Sequence, residues 1–376
     1  MVGAGIFLST PGLAHRHGAP ALFGGYLLAA LACALTALCY AEFAALDRGA
    51  GSAYSYARLA LGPRAAWFVA GALVLEYSFG AAAVAHLWMD GAVRGAFAVA
   101  IVAILLAFGI RVSAGVNTAL VVLKCGTLAA LVCLAFRNGA YREFSHAVAG
   151  DWRDVAGPAV FSYLGFESVS TLGLESRRPA RDLPIGVIGS LAITTALYLA
   201  VIAGYGAVMP PPRAGMAGMA LGLAPVVNFA IAIGLSTVLI VMTMGQSRIL
   251  FAMAEDGALP AVFRRVTKHG MAPVGAIALS APVIAVLCLT VPAGKLYDLA
   301  VAGTLLAFTV VAGALPVLRR KYPPSAFRVA LPWLIVPAAV AVNLYILSQI
   351  IPAVAIELGW FAAVWIVLGL LLHRTR

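Results

Sequence analysis

Eleven apolar stretches follow one another along this chain, each long enough to cross the ~30 Å hydrocarbon core of a bilayer as a helix. They cover residues 19–46, 65–89, 92–110, 112–136, 155–174, 183–209, 226–253, 272–291, 296–318, 331–350 and 352–372. In hydrocarbon the backbone has no water to bond, so each stretch must satisfy its own N–H and C=O groups, which a helix does. Composition agrees with that reading. Only 10% of the 376 residues are charged and 63% are hydrophobic, whereas a soluble globular domain carries roughly 25% charged residues. Too little polar surface exists to coat a water-soluble body of this size, which excludes a cytosolic enzyme, a secreted domain and a disordered chain. At ~20 residues per span the length leaves no room for a sizeable extramembrane domain. The expected fold class is an all-α polytopic membrane protein.

The net charge of +11 comes from 25 Lys and Arg against 14 Asp and Glu. The basic residues form no patch interleaved with aromatics, so nucleic acid is not an expected partner; they sit in short loops between the apolar runs. A stub, residues 1–13, precedes the first full stretch and is too short to span. If it is the second half of a helix leading outward, 17 basic residues fall on one side and seven on the other, with Lys124 inside a span. The richer side is then cytoplasmic, and the C-terminus with it. A free ammonium at the start of that stub would lie near mid-bilayer, where a charge costs on the order of 2.5–3.5 kcal/mol. The chain is therefore expected to lack the first half of a helix. No basic region followed by an apolar core and an A-x-A site is visible, so no cleavable signal peptide is expected. Cys33, Cys39, Cys125, Cys133 and Cys288 lie in apolar runs without a CxxC pair and read as buried thiols rather than disulfides or zinc ligands.

Two segments carry glycine where a span should be continuous. The stub reads Met1-Val2-Gly3-Ala4-Gly5-Ile6-Phe7, and five spans later comes Phe161-Ser162-Tyr163-Leu164-Gly165-Phe166-Glu167-Ser168. Broken helices at corresponding places of two five-helix halves point to a transport site. At such a break the N–H groups of the downstream half-helix face an anion with the positive dipole end behind them. Carbonyls ending the upstream half accept from a cation, so one zwitterion satisfies both. Close helix packing explains glycines in either segment alone; it is the pairing that favours a site.

Here a family resemblance becomes specific. Gly3-Ala4-Gly5-Ile6-Phe7 resembles the glycine-rich first-helix motif of the amino acid–polyamine–organocation (APC) superfamily. Cys39-Tyr40-Ala41-Glu42-Phe43, Ala50-Gly51-Ser52-Ala53-Tyr54 and Leu75-Glu76-Tyr77 resemble stretches of its cationic amino acid transporter-like branch. So do residues 161–170, followed by Glu175-Ser176-Arg177-Arg178-Pro179-Ala180-Arg181-Asp182-Leu183-Pro184, while Gly245-Gln246-Ser247-Arg248 with Phe251-Ala252-Met253-Ala254-Glu255-Asp256-Gly257 is similar to the loop after that family's eighth helix. The matches run in family order over most of the chain, the departure being the missing first half of helix one. The resemblance implies a 5+5 inverted repeat of the APC/LeuT type, with helices one and six broken. The repeats would cover about 1–136 and 155–318, followed by two C-terminal helices in 331–372, all within one transmembrane domain. It also implies an inner (plasma) membrane location.

Ionisable groups inside spans usually face a cavity or a partner. Lys124, near the centre of its stretch, can release and rebind a proton there. In proton-coupled relatives a fifth-helix lysine contacts the first helix at its break, and the resemblance places Lys124 at that point, standing in for the sodium of ion-coupled cousins. Snorkelling to an interface is the alternative. Glu167, just after the second break, would meet a cationic group, titrate, or only fix the broken backbone. Glu76 would pair with Lys124, line the same cavity, or make a structural hydrogen bond. Glu42, near a span end, is expected to pack rather than touch substrate. The resemblance makes Phe161 an aromatic gate; without it, plain packing is the reading. The six histidines show no metal-ligand spacing, and neither metal nor cofactor is expected.

The expected function is proton-coupled amino acid uptake by alternating access. The substrate carboxylate would meet the amides of Gly3, Ala4, Gly5 and Ile6. Its amine would meet carbonyls around Phe161, Ser162 and Leu164, with Gly165 and Glu167 completing the site. Lys124 and Glu76 are the candidates for proton coupling. The rivals are an amino acid or polyamine exchanger without net proton flux, a non-transporting remnant, and a membrane-embedded enzyme. The last would need clustered Asp, Glu or His at a membrane face, and the sequence shows no such cluster.

Overall fold

The computed structural model describes residues 2, 3, 5–47, 51–108, 114–137, 150–172, 176, 178–205, 224–267 and 272–374, and every regular element among them is helical. A π-helical turn, Gly5–Ser9, leads into α1 (Thr10–Leu46), followed by α2 (Ala53–Leu61), α3 (Pro63–Trp88), α4 (Ala92–Ala107) and α5 (Ala114–Arg137). Next come α6 (Trp152–Tyr163), a 3-10 turn (Glu167–Leu172), α7 (Pro179–Tyr205) and α8 (Ala224–Glu255). A second 3-10 turn, Ala261–Arg264, precedes α9 (Val274–Thr290), α10 (Ala293–Lys321) and α11 (Pro332–Arg374).

Six helices among the described residues are long and apolar enough to cross a membrane: Gly12–Leu46, Pro63–Trp88, Pro179–Gly204, Ile231–Glu255, Ala293–Lys321 and Pro332–Leu372. Ala92–Ala107, Thr118–Cys133 and Val274–Thr290 are apolar but shorter. Two departures from the eleven-stretch pattern have local causes. The stretch at 155–174 is interrupted, because α6 stops at Tyr163 and a different helical turn begins at Glu167. The stretches at 331–350 and 352–372 both belong to α11, which contains Pro337 and Pro352. Within α1, Gly18 leaves helical geometry (φ 77°, ψ 164°) two residues before Pro20. Proline has no N–H to continue a ladder, so a short segment and a long one meet there at a kink.

The chain divides into two compact units. The first comprises Met1–Cys33, Arg111–Leu164 and Leu191–Val238; the second comprises Ala34–Ile110, Gly165–Ser190 and Leu239–Arg376. In the first unit a tyrosine cluster forms the polar-edged core. Tyr26, Tyr163 and Tyr198 are fully buried, with ring centroids 5.4–6.1 Å apart.

In the second unit α3 is the central rod and is buried along most of its length, whereas α11 is largely exposed. Its neighbour α10 packs closely because Gly303 presents no side chain: a methyl there would lie 2.5 Å from the Ala72 carbonyl oxygen. Small residues at such crossings are how helices associate in lipid, where apolar burial alone gives no drive. Tyr40, Phe166 and Phe308 add edge-on and tilted ring contacts at 5.1–6.0 Å. At the periphery the indoles of Trp67 and Trp365 stack at 4.8 Å and each donates to the other's backbone carbonyl. Contacts of α11 show that it turns back on itself. It begins just after Val329, beside the end of α10; Glu357 then pairs with Lys295 in the first turn of α10. Trp365 lies against the start of α3, which runs antiparallel to α10. The two sequence stretches are thus an outgoing and a returning limb of one element.

A buried ion pair locks this unit. The Glu42 carboxylate accepts from Arg319 Nε (2.7 Å) and Nη2 (2.6 Å) and from the Val329 amide (2.7 Å), with only 2% of its side chain exposed. Arg319 also donates to the Val329 carbonyl, tying the end of α10 to the strand of chain that leads into α11. Glu42 therefore packs, as its position near a span end suggested. Removing one partner of such a pair leaves a buried charge uncompensated and costs about 3–5 kcal/mol. Arg319→Met should accordingly lower the melting temperature of the detergent-purified protein sharply, and the double variant Glu42→Gln/Arg319→Met should recover much of the loss. A melting temperature unchanged in the single variant would show that the pair carries no stability.

Candidate functional site

The first glycine segment builds a bend out of few backbone bonds. The Phe7 amide donates to the Gly3 carbonyl (3.2 Å), and the π-helical turn opens at Gly5. A π turn leaves carbonyls without the usual fourth-residue partner. The Gly5 carbonyl is satisfied instead by the Thr10 hydroxyl, which donates to it at 3.2 Å. Gly3, Gly5 and Ile6 are buried; Ala4 lies outside the described residues.

Gly5 sits directly on the second glycine segment. A β-carbon at Gly5 would lie 2.2 Å from Ser162 Oγ and 2.4 Å from Ser162 Cα. Only a residue without a side chain allows that approach. Ser162 belongs to the last turn of α6, a helix capped at its start by the Asp151 side chain accepting from the Arg153 amide (2.9 Å). At its other end the Leu164 amide reaches back to the Phe161 carbonyl (3.4 Å) and Leu164 turns extended (φ −56°, ψ 137°). Phe161 is 4% exposed. Buried hydroxyls run between the two segments: Thr10 Oγ1 to Tyr26 Oη at 2.6 Å, and Tyr26 Oη to Ser162 Oγ at 2.9 Å. The Tyr198 hydroxyl donates to the Ser162 carbonyl (3.0 Å), and the Tyr163 hydroxyl donates to the Tyr26 carbonyl (3.4 Å).

Lys124 belongs to the same unit. Its ammonium donates to Thr237 Oγ1 on α8 (3.0 Å), and Thr237 passes its own proton to the Gly234 carbonyl (2.8 Å). A β-carbon on Gly234 would touch both Lys124 Cδ (3.3 Å) and the Phe7 ring (3.7 Å). The lysine is thus pinned between α5 and α8 next to the ring that follows the first glycine segment. It is 7% exposed, which rules out a snorkelled side chain.

In the second unit the chain resumes at Gly165, whose φ of 113° is one that L side chains rarely adopt. Its amide donates to both Glu167 carboxylate oxygens (3.0 and 2.9 Å), and the Ser168 hydroxyl adds a 3.4 Å bond. The Glu167 carboxylate thus accepts from the backbone of the bend it follows. Ser168 also meets the Tyr77 hydroxyl (3.3 Å). Next to Tyr77, the buried Glu76 carboxyl lies beside Glu167 and the Thr304 hydroxyl, although neither of its oxygens makes a well-formed hydrogen bond among the described residues.

Of the residues singled out from the sequence, Gly3, Gly5, Ile6, Phe161, Ser162, Leu164 and Lys124 fall in the first unit, and Glu76, Gly165 and Glu167 in the second. The structure adds Thr10, Tyr26, Tyr198 and Thr237. Each is an unremarkable Thr or Tyr within or beside an apolar run, with no sequence spacing to mark it. Among the described residues no three of His, Cys, Asp and Glu gather as a metal site.

The chain matches the model of a family described as amino acid permease over residues 1–372. It is 30% identical to the methylthioribose transporter of Bacillus subtilis, across 99% of this chain and 89% of that one. It is likewise 30% identical to the branched-chain amino acid permease BcaP of the same organism, with 99% and 89% covered. Cationic amino acid transporter 4, vacuolar, of Arabidopsis thaliana is 32% identical over 86% of this chain and 61% of its own length. A solved structure of the Eremococcus coleocola manganese transporter superposes with a TM-score of 0.51 at 13% identity, covering 99% of this chain and 90% of that chain. That last likeness is one of fold alone.

The Gly5–Ser162 contact yields a direct test. Gly5→Leu forces atoms into occupied space, and overpacking of this kind costs about 1–3 kcal/mol. The shift it forces displaces the backbone groups expected to meet the ligand, so ligand affinity should fall while membrane insertion and expression are retained. Equilibrium binding to the purified variant checks it; undiminished affinity would show that the contact is not part of the site.

Proposed function

This chain belongs to the amino acid permease family, and from that premise we propose that it takes up amino acids by alternating access, driven by protons. The inverted repeats are assigned to about 1–136 and 155–318, with 331–372 outside them. The carboxylate of the substrate is assigned to the backbone amides of Gly3, Ala4, Gly5 and Ile6. Its amine is assigned to the acceptors at the end of α6, around Phe161, Ser162 and Leu164, with Phe161 as the outer gate. Two of the relatives are named for amino acids, one for branched-chain and one for cationic ones, which supports this substrate class.

The observation that carries proton coupling is the Lys124–Thr237 hydrogen bond beside Phe7. An ammonium inside a span needs a partner, and this one donates to the Thr237 hydroxyl on α8 beside a neighbour in the first helical segment. A movement of that segment alters the surroundings of the ammonium and hence its hold on the proton. Coupling requires that difference, since a proton bound equally in both states shifts nothing. Glu76 is the second candidate for carrying a proton, next to Glu167.

Uptake into proteoliposomes under an imposed pH gradient tests the proposal. The wild-type chain should accumulate amino acid only with the gradient, and Lys124→Ala should fall to the no-gradient level while equilibrium binding persists. Undiminished gradient-driven uptake by Lys124→Ala removes this residue and leaves Glu76. Counterflow by the wild type that ignores the gradient makes the protein an exchanger.

A further inference from the structure

The hydroxyl chain between the two glycine segments has only one consistent direction. The Gly5 carbonyl has no proton to give, so the Thr10 hydroxyl donates to it. A hydroxyl has one proton. Thr10 is therefore an acceptor in its 2.6 Å contact with Tyr26, and Tyr26 is the donor. With its own proton committed to Thr10, Tyr26 is in turn the acceptor in its 2.9 Å contact with Ser162. No other assignment of the three protons fills all three contacts. The Ser162 proton is held inside the protein, and its main-chain carbonyl accepts one bond from Tyr198.

We propose that Tyr26 determines specificity at this site by fixing the Ser162 hydroxyl as an acceptor, so that the site selects a ligand with a charged amine donor over one with an acceptor group in its place. Tyr26 acts through Ser162 and is a positioning residue. The inference rests on the amino acid reading above and adds a side-chain atom to the acceptors that meet the amine: Ser162 Oγ. Ser162 is 1% exposed and the rest of the chain is fully buried. In such surroundings a ligand acceptor set against an acceptor-only hydroxyl stays unsatisfied, and that penalty is greatest away from water. An ammonium meets no such penalty, and bonds involving a charged donor are stronger than neutral ones.

The test compares equilibrium binding of leucine, arginine and alanine with that of their own 2-keto acids, on the purified wild type and on Tyr26→Phe and Thr10→Val. Both substitutions free the Ser162 proton. The first removes its acceptor, and the second lets Tyr26 donate to Ser162 instead. In each, the preference for the amino acid over its keto acid should shrink about three- to tenfold, the worth of one neutral hydrogen bond. Equal weakening of both ligands, with the preference unchanged in Tyr26→Phe and Thr10→Val, overturns the assignment and makes the chain a packing device. Should one of the two variants fail to fold, the other decides. A wild type that binds none of the three amino acids defeats the amino acid reading, and the Ser162 assignment falls with it.

Discussion

Backbone groups that leave a helix inside a bilayer have to find partners within the protein, and this need organises the structure around its two glycine segments. At the first, the Gly5 carbonyl is met by a side chain five residues on, Thr10. At the second, the Gly165 amide is met by a carboxylate two residues on, Glu167. Each break is thus closed locally, by a polar side chain that sequence proximity guarantees. An unmet group of this kind costs several kcal/mol in hydrocarbon, more than one helical turn returns. The partners are as much a part of the break as the glycines.

Buried charge is handled in three different ways. Glu42 and Arg319 neutralise one another in a two-pronged pair, and the remaining carboxylate capacity goes to a backbone amide. That arrangement has nothing left to exchange and serves as a lock. Among the described residues Lys124 bonds to a hydroxyl and to no carboxylate, so its charge is met by a dipole rather than cancelled. Glu76 and Glu167 are two acids side by side, one of them used on the backbone. The charges least well compensated are the ones assigned to transport, and the fully compensated one is assigned to stability.

Much of the architecture was legible because a bilayer leaves the chain few options. Apolar runs of sufficient length become helices, and the interruption at Gly165 stands where the second glycine segment stood in the sequence. Lys124, Glu76 and Glu167 could be picked out as ionisable residues in apolar surroundings. Thr10, Tyr26, Tyr198 and Thr237 could not. A buried Tyr or Thr is ordinary in a membrane helix, and its meaning lies in an acceptor brought near by folding: Tyr26 and Ser162 are 136 residues apart.

By itself, then, the sequence determined the solvent in which this protein folds, the helical character of its spans and the place where one of them is interrupted, because those follow from hydropathy and from residues with unusual backbone freedom. Only the tertiary structure decided that Gly5 rests on Ser162, that Lys124 bonds to α8 and that Glu167 turns back on its own backbone. It also decided the direction of the hydroxyl chain from Ser162 to Gly5. Hydrogen bonds depend on distances of a few tenths of an ångström between atoms that the order of residues leaves free, and packing alone brings them within reach.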